Sequence, residues 1–79
     1  MPTDPTAITA RAEALHSDAR QLAACADRLR HVETTLAAGG VAPPWLREAV
    51  NAYLTACTTA AADLDKAAAR LWHYAEGAR

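Results

Sequence analysis

A chain of 79 residues is one domain at most, near the lower size at which a chain sustains its own core. Apolar residues make up 52%, but 22 of them are alanines, so the core is thin and a scaffold of this size calls for a staple, a metal or a partner. The net charge of −1, from eight basic and nine acidic residues scattered along the chain, leaves no basic stripe for nucleic acid, and no apolar run approaches the roughly 20 residues of a membrane span.

The opening stretch, MPTDPTAIT, lacks the basic and apolar regions of a secretory signal peptide. The expectation is a cytoplasmic protein, with a leaderless route of secretion left open. Asp4 is placed to cap a helix whose first position is Pro5, where a missing N–H costs nothing. From there Ile8, Leu15, Leu22, Leu29 and Leu36 recur every seven residues, with Ala12, Ala19 and Ala26 at the complementary spacing. That is a heptad seam and predicts a helix over 5–38. Glu33 interrupts the seam, and Val32 is expected to take over that end of the face.

Gly39-Gly40 stops the first helix and Pro43-Pro44 presets the start of the second, giving a corner over 39–44. Glu48 is expected in the first turn, where it favours the helix dipole. The second helix is predicted over 45–76. Its seam is read as Leu46, Val50, Tyr53, Cys57, Ala60, Leu64, Ala67, Leu71, Tyr74 and Ala78, in alternating four- and three-residue steps.

The expected fold is all-α: residues 1–79 form a single domain, an antiparallel two-helix hairpin. Folding the chain about residue 41 brings Leu36 to Leu46, Leu29 to Tyr53, Leu22 to Ala60 and Leu15 to Ala67, so large residues meet small ones. Cys25 and Cys57 fall at one level, either as an inter-helix disulfide or as a pair of buried thiols. Val32, Leu54, Trp72 and the alanines at 23, 24, 56, 61 and 68 lie off the predicted seam. Pairing two hairpins into a four-helix bundle would cover them, so the expected partner is the chain itself or a similar hairpin.

No constellation for chemistry is evident, and the chain is not expected to be an enzyme. His16, His31 and His73 share no face at i, i+4 spacing, and Asp27 with His31 offers two ligands at most. No Ser or Cys sits beside a candidate base, and no glycine-rich loop follows a strand. No catalytic residue, metal, cofactor or small-molecule substrate is therefore expected. Trp45 either caps the open end of the bundle or belongs to a recognition surface, and Trp72 is either core packing or part of the same surface.

The corner tryptophan between two long Ala/Leu-rich helices resembles the WXG-type (ESAT-like) hairpin proteins of type VII secretion. DPTAITARAEALHSDARQLAACADRLRHV is similar to that family's first helix, and AADLDKAAARLWHYAEGAR to its second. Trp45-Leu46-Arg47 keeps the Trp of the family's Trp-x-Gly corner but not its glycine. In place of the Tyr-x-x-x-Asp/Glu export signal, Tyr74 is followed at that spacing by Ala78, whereas Trp72 and Glu76 have the spacing with a different aromatic. The resemblance implies a substrate or partner in type VII secretion that acts by pairing. Trp72 and Glu76, with the partner's Trp45, would then form the surface read by the export machinery. The alternative is an intracellular structural or adaptor subunit of a larger assembly.

Overall fold

The computed structural model describes residues 4–77, and these form two antiparallel helices, α1 (Pro5–Ala38) and α2 (Pro44–Gly77), packed side by side as a hairpin about 59 Å long and 16 Å wide. Relative to the sequence-based boundaries, α2 begins one residue earlier and runs one residue further, with Gly77 inside its last turn. Pro44 belongs to the helix and not to the corner, since a proline at the first helical position forfeits no intrahelical bond. Ala78 of the predicted seam lies outside the described residues.

α1 starts as its sequence dictates. Asp4 is extended, and its carboxylate accepts from the Thr6 N–H at 3.0 Å. At the other end Gly40 has φ of 70°, and two bonds close the helix: the Val41 N–H donates to the Leu36 carbonyl and the Gly40 N–H to that of Ala37. This is a Schellman closure, which needs a left-handed residue at the position Gly40 holds. Gly39 remains in the right-handed helical region. α2 opens at Pro44 without an acidic residue in its first turn, so Glu48, expected there, falls just beyond it.

The α1 seam is as predicted. Ile8, Ala12 and Ala19 are buried, and Leu15, Leu22, Ala26, Leu29 and Leu36 are half-buried. At the interruption Glu33 keeps its inward place, half-buried beside the corner, and Val32 stays 51% exposed. A glutamate accomplishes this because its methylenes cover apolar surface while its carboxylate reaches water.

The α2 seam differs from the expectation by a rotation. Val50, Cys57, Leu64 and Leu71 face α1, but the intervening positions are Leu54, Ala61, Ala68 and Ala75 in place of Tyr53, Ala60 and Tyr74. Tyr53 is 48% and Tyr74 60% exposed, while Leu54, Ala68 and Ala75 are buried. The shift is roughly half of the 100° step between neighbouring residues. Its cause is visible in the residue types. Turning Leu54 and Ala75 inward buries purely apolar groups and lets the helices approach closely. Turning Tyr53 and Tyr74 inward would hold the helices apart and strand two hydroxyls.

Leu54 and Ala61 thus take the inward places expected for Tyr53 and Ala60 opposite Leu29 and Leu22, while the axial level is close to the predicted one. His16 and Asp65 meet across the hairpin at 3.0 Å. Of the residues expected off the seam, Leu54 and Ala68 are buried and Ala61 and Trp72 are half-buried. Val32, Ala23, Ala24 and Ala56 are exposed.

Candidate functional site

The singled-out residues are distributed along the hairpin and converge on no pocket. Trp45 stands at the second position of α2 and is 66% exposed. It does not cap the end of the hairpin. The half-buried Leu46 takes the inward place next to it, and the Pro44 ring fixes the direction from which the indole leaves the corner. Val41, 67% exposed, lies on the same tip. Beside the tip, a shallow hollow is lined by Glu33, Thr34, Ala37, Pro43 and Arg47.

Trp72 belongs to the opposite end. Its ring is half-buried and lies 5.9 Å, centroid to centroid, from the imidazole of His16, tilted by 59°. His16 in turn places its Nδ1 3.0 Å from the Asp65 carboxylate. One histidine thus links an aromatic ring and a carboxylate on α2 to α1, at a partly solvated side of the hairpin. Glu76 is exposed, with one carboxylate oxygen 4.0 Å from Nδ1 of His73 three residues before it. The structure therefore brings Trp72 and Glu76 to the same end of the molecule and leaves Trp45 at the other.

The two cysteines are not a buried pair. Cys57 is buried on the inner face of α2, whereas Cys25 is exposed and its sulfur accepts from the Arg28 guanidinium at 3.1 Å. Both thiols are free. They share a neighbour in Tyr53. The Cys57 side chain, one turn further along α2, holds the Tyr53 phenol above its ordinary value, and Cys25 adds to the effect in the same direction.

Among the described residues no three His, Cys, Asp or Glu side chains stand close enough to hold a metal ion. Asp27 and His31 are both exposed. No described helix is long and apolar enough to cross a membrane.

What sequence reasoning missed is the face that α2 turns away from α1. Trp45, Ala49, Ala52, Ala56 and Ala60 are all exposed along it, and Tyr53 and Tyr74 border it. The four- and three-residue spacing places both tyrosines on the seam, which conceals them as surface residues. The available signal was the absence of charge from Ala49 to Ala62, where a solvated helix face would carry several charged groups. Comparison with protein-family models, with curated proteins and with solved structures found no match to this chain.

Proposed function

We propose that this protein is a non-enzymatic pairing module, a WXG-like helical hairpin that acts by packing against another hairpin as a substrate or partner in type VII secretion. One observation carries the pairing reading. The eight buried side chains of the described residues are small or medium-sized, four of them alanines, while Trp45, Tyr53 and Tyr74 lie largely in water. A hairpin that invests its aromatics outside its own seam has its stabilising surface available to a partner. A second two-helix layer over the α2 face would complete a four-helix bundle.

The secretion reading rests on the resemblance of the helices and on the Trp72/Glu76 spacing. Its test is the protein's appearance in culture medium. Export should be lost with Glu76→Ala, and with Trp72→Ala, but not with Glu13→Ala. Glu76 is the more informative position because it is exposed and its removal leaves the packing intact. Retention in cells of the unaltered protein would overturn this reading.

A second reading, an intracellular adaptor subunit, is favoured by the contact between Trp72 and His16. That contact gives the indole a structural role with no export machinery involved. On this reading the Glu76 and Trp72 variants keep their partner, and the protein remains in the cell.

A further inference from the structure

The uncharged middle of α2 fits a second copy of the same chain. From Ala49 to Ala62 no residue is charged, although most of the segment is exposed. Along one face run Trp45, Ala49, Ala52, Ala56, Ala60, Asp63 and Ala67, all exposed except the half-buried Ala67. The steps from Trp45 to Ala56 are four, three and four residues. The steps from Ala56 to Ala67 read four, three and four backwards as well as forwards. The stripe is therefore symmetric about Ala56, which is the spacing a two-fold contact requires, because such a contact sets one patch against its own copy.

We propose that two copies pack α2 against α2 in antiparallel orientation, with the two-fold axis at Ala56. This rests on the pairing reading above and names its partner. In this register Trp45 faces Ala67 of the second copy and Ala52 faces Ala60, so the one bulky residue lies over a small one at each end. Ala56 meets itself, and its small side chain permits a close approach. Asp63 falls opposite Ala49, at the edge of the uncharged segment.

Charge selects the orientation. Glu48 and Lys66 occupy the same flank of the stripe, which flank-to-flank antiparallel pairing sets opposite each other, once at each end. A parallel arrangement would instead set Trp45 against Trp45, crowding one level, and would carry the Glu48 and Lys66 flanks of the two copies to opposite sides of the contact, where the two charges cannot pair.

The purified full-length chain, kept reduced, should have the mass of a dimer by light scattering at micromolar concentration. Lys66→Glu should weaken the dimer roughly tenfold, as should Glu48→Lys, since each reverses two symmetric pairs. Combining the two should restore affinity. In a Cys25→Ser, Cys57→Ala background, Ala56→Cys should form an intermolecular disulfide with oxidised glutathione, while Ala62→Cys should not, because only residues on the axis bring their Cα atoms within about 7 Å. A dimer that crosslinks at Ala62 and not at Ala56, or that the double charge swap fails to restore, overturns the register. A folded monomer that binds a different hairpin overturns the second copy as partner and leaves the pairing reading standing.

Discussion

Asp4 and Gly40 show how single residues fix where the helices end. The Asp4 carboxylate satisfies an amide that the first turn cannot, and replacing it by alanine should cost about 1 kcal/mol. Gly40 answers a conformational demand instead: with φ at 70°, any side chain there is strained, even though an added Cβ would meet no neighbouring atom. Gly40→Ala should therefore destabilise the hairpin by about 1 kcal/mol, while Gly39→Ala, in ordinary right-handed geometry, should be milder. Urea melts of the two variants, compared at equal protein concentration, check this order. Equal losses would place the closing left-handed residue wrongly. The His16–Asp65 contact is different in kind. Both groups are about half exposed, so water screens the pair and its value lies in fixing axial level more than in stability.

At the scale of the helices, the hairpin was legible because its signals are local and unambiguous. Asp4-Pro5, Gly39-Gly40 and Pro43-Pro44 punctuate the chain, and the α1 heptads have leucine or isoleucine at one position with alanine at the other. α2 was harder because it contains two overlapping stripes. Both use Val50, Cys57, Leu64 and Leu71, and alanines at 60 and 61, or 67 and 68, fill the gaps equally well. Periodicity alone cannot separate them. What separates them is the choice between Tyr53 and Leu54 and between Tyr74 and Ala75, and that is a question of desolvating hydroxyls and of helix spacing. The same ambiguity conceals the candidate surface, since the pattern that puts Tyr53 and Tyr74 on the seam removes them from the exposed face. Mutation reads the stripe directly. Leu54→Ala should cost about 2–3 kcal/mol because it empties a buried site, and Tyr74→Ala less than about 0.5 kcal/mol because the ring is mostly in water. The reverse order in chemical denaturation would restore the tyrosine stripe to the seam.

The whole molecule has two unlike sides. Along one, His16, Asp65, Asp27, Arg30 and Thr58 place polar and charged groups beside the groove between the helices. Along the other, α2 presents alanine with a tryptophan and two tyrosines, and Cys25 of α1 lies close enough to influence Tyr53. Two long helices in contact only with each other form a single layer, and a single layer buries one stripe of each helix and no more. If a second copy supplies the missing layer, folding and association are one equilibrium, and stability depends on how much protein is present. The midpoint of thermal unfolding should then rise by about 4 °C for each tenfold increase in concentration, from the enthalpy expected of two chains of this length melting together. Circular dichroism over two decades of concentration measures it. Lys66→Glu should lower the midpoint without altering the helical signal before the transition, and the added Glu48→Lys should return it. A midpoint that does not move with concentration would mean that the hairpin stands alone on its thin seam, and that its exposed aromatics serve some other protein.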